Sequence, residues 1–222
     1  MLHDAALIAG KDLRLEWRSR VTINQVMPFA FLVLVLFAFA LDPDRRILQQ
    51  ATPGLFWLAV LFSALLAIQR AFVVETEDGV RDALRLSGLD PAGIFIGKAA
   101  VIAVHLAAVE LVLGVGVWVL YGARFHGPFL LVATCLAATI GLASAGSLYG
   151  ALSAGLRVRE TLLPLLLLPV VAPVLLCGTQ AFEAAMSQSS AEGWRWFGLL
   201  AIFALIYTCI GLFAFDSLLE DS

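Results

Sequence analysis

The residues Glu75-Thr-Glu-Asp-Gly-Val-Arg-Asp-Ala-Leu-Arg-Leu-Ser-Gly-Leu-Asp-Pro91 separate two long apolar runs, at positions 55–74 and 94–121. This stretch is the most densely charged part of a chain in which 61% of residues are hydrophobic and 14% are charged. Soluble domains average about 25% charged residues, so we expect an integral membrane protein. The pattern within the stretch predicts a short amphipathic helix at residues 77–88 that lies at the membrane surface and can contact a soluble partner.

Six apolar runs are each long enough for a transmembrane helix, which needs about 20 residues. They occupy residues 23–41, 55–74, 94–121, 129–155, 161–181 and 194–215. Backbone groups at membrane depth must be hydrogen-bonded within the protein, and a helix satisfies them within one segment. The sequence therefore predicts an all-α integral membrane protein with six spans, forming a single domain over residues 1–222.

Residues 2–20 have the pattern of an amphipathic helix that lies in the membrane interface. Apolar side chains recur on one face, and basic side chains lie off that face. The apolar set is Leu2, Ala6, Ala9, Leu13 and Trp17, and the basic set is Lys11, Arg14 and Arg18. Such a helix can bring its basic groups to anionic lipid headgroups. A basic tail that only sets the topology is the alternative.

The distribution of lysine and arginine predicts the orientation in the membrane, because these residues are enriched on the cytoplasmic side. One side would carry ten of them: Lys11, Arg14, Arg18, Arg20, Arg70, Arg81, Arg85, Lys98, Arg157 and Arg159. The other side would carry four: Arg45, Arg46, Arg124 and Arg195. We therefore expect both termini and the charged helix to be cytoplasmic.

Two spans carry features of close packing or of a bend. In the fourth span, Gly146 and Gly150 are four residues apart, which lets two helices approach closely within one chain or between chains. The fifth span contains Pro164, Pro169 and Pro173. Each proline removes a backbone donor, so this span is predicted to be kinked or broken, as in helices that move or that line a substrate path.

Three polar residues are candidates for a functional pathway. His105 and Glu110 fall within the third span, where ionisable groups are costly and are functional hypotheses by default. They differ by five positions and so lie about 140° apart around a helix. A neutral histidine bonded to a neighbouring helix is the simpler interpretation of His105. His126 falls in the outer connection, where it either contacts an external ligand or has no specific role.

Several functions are excluded or lack support. The cysteines Cys135, Cys177 and Cys209 fall in separate apolar runs without a metal-binding spacing, so no metal site is predicted. No basic patch interleaved with aromatic residues supports nucleic acid binding. Gly93-Ile-Phe-Ile-Gly97-Lys98-Ala99 departs from a phosphate-binding loop in its spacing and lacks the hydroxyl that holds Mg²⁺. The chain is therefore expected to be non-catalytic, so that energy for any work would come from elsewhere.

The charged stretch and its surroundings resemble a known coupling segment. The pattern Glu75-x-Glu77-Asp78-Gly79, then Leu84, Leu86, Asp90-Pro91 and Gly97-Lys98, is similar to that segment in type-2 ABC exporter permeases. A closer resemblance, to the heme exporter protein B family (CcmB) of cytochrome c maturation, rests on three stretches. They are Lys11-Asp-Leu-Arg-Leu-Glu-Trp-Arg-Ser-Arg20, Pro53-Gly-Leu-Phe-Trp57 and Arg159-Glu-Thr-Leu-Leu-Pro-Leu-Leu-Leu-Leu-Pro169.

The resemblance implies a permease subunit in the bacterial inner membrane. Its partners would be a cytoplasmic ABC ATPase that binds ATP, a heme-handling membrane subunit, a periplasmic heme chaperone and a second copy of the chain. Heme would be handled by the complex, and this chain would bind no cofactor itself. ATP hydrolysis would drive release of the heme-loaded chaperone.

The residues implied in ATPase coupling are Glu75, Glu77, Asp78, Gly79, Val80, Arg81, Leu84, Leu86, Gly88 and Pro91. The apolar contact would be supplied by Val80, Ala83, Leu84 and Leu86. Gly88 would end the helix, and Pro91 would stop its continuation. Two alternatives remain open. One is an exporter of another lipid or small molecule, and the other is a structural assembly subunit without energy coupling.

Overall fold

The computed structural model describes residues 1–19, 26–41, 45–76, 88–154, 159–187 and 190–220, which form seven helices. These are α1 (Leu2–Ser19), α2 (Met27–Leu41), α3 (Arg45–Thr76), α4 (Pro91–Leu120), α5 (Pro128–Ala154), α6 (Arg159–Met186) and α7 (Ser190–Glu220). The prediction of an all-α protein is confirmed.

Five of the helices, α3 to α7, are long and apolar enough to cross a membrane. The helix α2 is also apolar, but its described part has 15 residues. At 1.5 Å per residue this is about 22 Å, shorter than the roughly 30 Å hydrocarbon core. The predicted first span, 23–41, begins among residues outside the described part of the chain. The count of six spans therefore stays a prediction.

The helices run past their apolar cores, and prolines do not end them. Helix α3 begins at Arg45, ten residues before the predicted span, and contains Pro53. Helix α6 is continuous through Pro164, Pro169 and Pro173. In an apolar environment, leaving the helix would expose more backbone groups than the one donor that each proline removes. Of the two forms predicted for this span, kinked or broken, the continuous helix excludes a break, and a kink stays a prediction.

Small residues on α5 bring it against α3 within the same chain. A Cβ atom added to Gly146 would contact the side chain of Ile68, with Cγ1 at 2.6 Å. A Cβ atom added to Gly150 would contact the ring of Phe72, with Cζ at 3.1 Å. Ile68 and Phe72 are buried and, like the glycines, lie four residues apart. The two glycines therefore leave the space into which the side chains of Ile68 and Phe72 pack.

Candidate functional site

The segment predicted to contact a soluble partner lies mostly outside the described residues. This applies to Glu77, Asp78, Gly79, Val80, Arg81, Leu84 and Leu86, and to the side chain of Glu75 at the end of α3. The structure does describe the residues on either side of segment 77–87. We call the group formed by α1, the end of α3 and the start of α4 the junction, and it is the candidate functional site.

Residues 88–91, which follow the segment, have the backbone geometry of a turn that leads into α4. Gly88 has φ 66°, in the left-handed region that glycine adopts without strain and that is common just after a helix. The side chain of Asp90 then accepts a hydrogen bond from the backbone N–H of Ala92 at 3.1 Å and caps α4. Pro91 occupies the first turn of α4, where its missing N–H has no cost.

Two glycines let α1 pack closely on the start of α4. A Cβ atom on Gly97 would lie 2.8 Å from the Cβ of Ile8 and 2.9 Å from the carbonyl oxygen of Ala5. A Cβ atom on Gly93 would lie 2.9 Å from the carbonyl oxygen of Met1. Gly93 and Gly97, part of the stretch that only superficially resembles a phosphate loop, thus form a docking surface for α1.

The face of α1 that packs on α4 is not the apolar face read from the sequence. Ala5 and Ile8 are buried, whereas Leu2 and Leu13 of the predicted apolar face are exposed. The two faces are about 100° apart around the helix. Helix α1 therefore has one face against the protein and an adjacent apolar face available to the membrane.

Lys98 stands at the centre of the junction. Its side chain is 2% exposed, and Nζ lies 2.8 Å from Oδ2 of Asp12 on α1. The same Nζ donates a hydrogen bond to the carbonyl oxygen of Ala71 on α3 at 3.0 Å. It also lies 5.4 Å from the ring centroid of Phe72. One buried ammonium group therefore joins three helices.

Because it is buried, Lys98 is expected to contribute more to the stability of the fold than a surface charge does. Removing one partner of a buried ion pair costs about 3–5 kcal/mol, because the other charge is left uncompensated. Lys11 also lies 3.1 Å from Asp12, but its side chain is 42% exposed. An exposed pair of that kind contributes about 0–1 kcal/mol.

The first residues of α1 add a second polar contact to the junction. The amino group of Met1 lies 2.9 Å from Oδ2 of Asp4 and 3.5 Å from Oδ2 of Asp90. The hydrogen bond from this amino group lowers the pKa of Asp4. Acceptance by Asp4 raises the pKa of the amino group above its ordinary value. Both groups are therefore charged near neutral pH.

Glu110 forms a separate site inside the bundle. It is 7% exposed, and its Oε1 accepts a hydrogen bond from the hydroxyl of Thr139 on α5 at 2.9 Å. It lines a cavity of about 510 Å³ between α4 and α5. The other lining residues are Phe56, Ala107, Leu111, Gly114, Val115, Trp118, Phe125, Leu131, Val132, Cys135, Leu136 and Phe182. The lining is apolar apart from this carboxyl group, as is common in ligand cavities.

The two histidines do not join Glu110 in one cluster. His105 is buried on a different face of α4. His126 uses Nδ1 to hydrogen-bond the carbonyl oxygen of Met186 at 2.8 Å, so this nitrogen carries the proton. The backbone N–H groups of His126 and Gly127 both donate to the carbonyl of Ala185 at 2.9 Å. His126 therefore caps the end of α6.

Sequence reasoning missed two polar pairs that the structure brings together, Asp12 with Lys98 and Glu110 with Thr139. Asp12 and Lys98 are far apart in sequence. The sequence analysis uses Lys98 as a charge that sets the topology and as part of the Gly97-Lys98 pair, not as a partner of Asp12. The available signal was the lysine directly after Gly93 and Gly97, at a helix start where another helix could approach. Across the described ranges, no three His, Cys, Asp or Glu side chains lie close enough to hold a metal ion.

These observations define a multi-pass helical membrane protein with a polar junction at one end of the bundle. The family model described as "CcmB protein" matches residues 4–222, and the chain belongs to the CcmB protein family. This confirms the resemblance stated from the sequence.

Several curated proteins named "Heme exporter protein B" are similar to this chain. The one from Paracoccus denitrificans is 33% identical over 175 residues, which cover 77% of this chain and 78% of that protein. The one from Pseudomonas aeruginosa is 30% identical over 214 residues, which cover 91% and 92%. The one from Haemophilus influenzae is 30% identical over 188 residues, which cover 80% of each.

Proposed function

We propose that this chain is the membrane permease subunit of an ABC transporter complex that handles heme for c-type cytochrome biogenesis. Membership of the CcmB family and the name of the relatives, "Heme exporter protein B", carry this proposal. The chain is non-catalytic, and a separate cytoplasmic ATPase subunit supplies the energy. The complex resides in the bacterial inner membrane, with both termini of this chain and segment 77–87 on the cytoplasmic side.

The coupling step uses the helix at residues 77–88, which docks on the ATPase through its apolar side chains, Val80, Ala83, Leu84 and Leu86. The described ends of this segment support the idea. They belong to α3 and α4, which share the buried Lys98 and its contact with Ala71. A displacement of the segment therefore moves the ends of two membrane helices together rather than being absorbed at one end.

Co-purification tests the coupling step. Leu84→Glu places a charge on the apolar contact surface, so the ATPase should be lost from the complex in mild detergent. Leu84→Met conserves the volume and the apolar character and serves as the matched control. If Leu84→Glu retained a working ATPase at the wild-type ratio, the docking site would have to be elsewhere.

The ATPase cycle then drives release of a heme-loaded periplasmic chaperone from a heme-handling membrane subunit. A homodimer of this chain within the complex would give each ATPase subunit one docking helix. His105, Glu110 and His126 remain proposals for a polar pathway. Purified complex should hydrolyse ATP faster when the heme-loaded chaperone is added, and its rate should not respond to added lipids.

A second candidate function, export of another lipid or small molecule, is favoured by the cavity beside Glu110. Its volume of about 510 Å³ and its apolar lining suit a ligand that arrives from the membrane. ATP hydrolysis that responded to lipids and not to the chaperone would favour this candidate. A purely structural subunit would instead leave cytochrome c maturation intact when the partner ATPase is inactive.

A further inference from the structure

The buried ammonium group of Lys98 lies close to both ends of segment 77–87. Its acceptor Ala71 lies five residues before the end of α3, and Lys98 lies seven residues after the start of α4. At 1.5 Å per residue these positions are about 8 Å and 11 Å from the respective helix ends. The contact is thus within about two helical turns of each point where a force on the segment would enter the bundle.

The third partner of Lys98 adds a helix that the proposed coupling step does not include. Asp12 brings α1 to the same ammonium group, with an Nζ–Oδ2 distance of 2.8 Å. Helix α1 also contacts α4 at Gly93 and Gly97, where a single added Cβ atom would overlap it. The two helices are in close contact at these glycines and are also joined by a buried ion pair. Helix α1 therefore has little freedom to slide on α4.

We infer that Lys98 is a positioning residue that joins α1 to both helices flanking segment 77–87, so that α1 moves with them as one body during ATP-driven work. This inference rests on the proposed function, because it presumes that the segment receives force from an ATPase. Lys98 and Asp12 themselves do not contact the ATPase. They fix the direction in which the segment can displace the bundle.

Neighbouring charges offer an internal control. Lys11 lies 3.1 Å from Oδ1 of Asp12 on the same helix, and its side chain is exposed. Lys11→Met therefore removes one charge from the same carboxylate and leaves the connection between helices in place. Lys98→Met removes the connection and conserves the length of an unbranched side chain.

The first experiment compares ATPase retention with cytochrome c maturation in cells that carry the whole complex. Lys98→Met and Asp12→Asn should retain the ATPase and its basal hydrolysis, while maturation falls by about tenfold or more, the range of a coupling energy. Lys11→Met should mature cytochrome c at the wild-type level. The exchange Asp12→Lys with Lys98→Asp should recover at least part of the loss. Wild-type maturation in Lys98→Met would overturn the inference.

A second experiment does not depend on a substitution at Lys98. A Cβ on Gly97 would lie 2.8 Å from the Cβ of Ile8 and 2.9 Å from the carbonyl oxygen of Ala5, so Gly97→Ala separates α1 from α4 while Lys98 stays intact. Gly10→Ala on α1 is the matched control, because nothing lies within 4 Å of a Cβ added there. Gly97→Ala should retain the ATPase and lose maturation, whereas Gly10→Ala should mature cytochrome c at the wild-type level. Wild-type maturation in Gly97→Ala would overturn the inference.

The two proposals fail in different ways. If Leu84→Glu retains the ATPase, the docking site is wrong whatever Lys98 does. If Leu84→Glu loses the ATPase but Lys98→Met is normal, the docking site stands and the role of Lys98 and α1 falls.

Discussion

Gly150 is the position at which one added methyl group tests the packing of α5 on α3. The Cβ of Gly150→Ala would contact the rigid ring of Phe72, which is 3% exposed and cannot turn toward solvent. The same ring lies under the ammonium group of Lys98 at 5.4 Å. A shift of the ring therefore affects both the helix contact and the junction.

The magnitude follows from two opposing terms. Replacing glycine by alanine inside a helix stabilises it by about 0.8–1 kcal/mol. Overpacking a well-filled core costs about 1–3 kcal/mol, and a rigid aromatic ring falls in the upper half of that range. Gly150→Ala should therefore destabilise the protein by about 1–2 kcal/mol. Gly146→Ala should cost less, because Ile68 presents the flexible end of its side chain.

The assay is unfolding of the purified protein in mixed detergent micelles, followed by helical circular dichroism. Gly198→Ala is the matched control, since nothing lies within 4 Å of a Cβ added there. This control should be stabilised by about 0.5–1 kcal/mol. Phe72→Leu should partly rescue Gly150→Ala, with a coupling energy of about 0.5 kcal/mol or more.

Equal stability of Gly150→Ala and Gly198→Ala would refute the reasoning. It would mean that close packing of Phe72 on α5 does not require a glycine at position 150. Additive effects of Gly150→Ala and Phe72→Leu would lead to the same conclusion, because residues in contact are expected to be non-additive.

Three further predictions concern the junction and the cavity. Asp90→Ala should lower stability by about 0.5–2 kcal/mol through loss of the cap on α4. Asp90→Asn should be near wild type in the same unfolding assay. Equal unfolding midpoints for Asp90→Ala and wild type would refute the role of Asp90 as a cap. The pKa of Asp4 is lowered from its ordinary 3.8, so its contribution is present above that pH and is lost as the pH falls through the depressed pKa. Wild type should therefore be more stable than Asp4→Asn at pH 7 but not at acidic pH, and a difference that persists in acid would contradict this. Glu110→Gln keeps an acceptor for Thr139 without a charge to bury, so its midpoint should equal or exceed that of wild type, and a large decrease would show that the charge itself stabilises the fold.

The apolar runs of the sequence predicted five of the described helices, which are long and apolar enough to cross a membrane. The apolar pattern does not show how far a helix continues beyond the run. Helix α3 begins ten residues before the run at 55–74 and passes through Pro53. Helix α6 stays continuous through three prolines, because an intact helix satisfies more backbone groups than a local break does.

Only part of the candidate site could be predicted from the sequence. Local signals are carried by Asp90 and Pro91, which begin α4, and by Gly88, which has a positive φ. That Gly88 ends a helix at residues 77–88 stays a prediction. The pairing of Lys98 with Asp12 depends on how α1 docks, and Thr139 is joined to Glu110 only by the packing of α5 on α4. Neither is encoded in the periodicity of a single segment, so pattern reasoning could not find them.

The order of synthesis gives the pairing of Lys98 a consequence for biogenesis. Asp12 lies 86 residues ahead of Lys98, so the carboxylate leaves the ribosome well before the lysine. A lysine entering the hydrocarbon edge without a counter-ion would resist insertion, since charged side chains are costly there. If α1 already rests on the membrane surface, each new α4 meets its counter-ion on arrival. The amino-terminal helix would then act as an intramolecular insertion aid for a segment made much later.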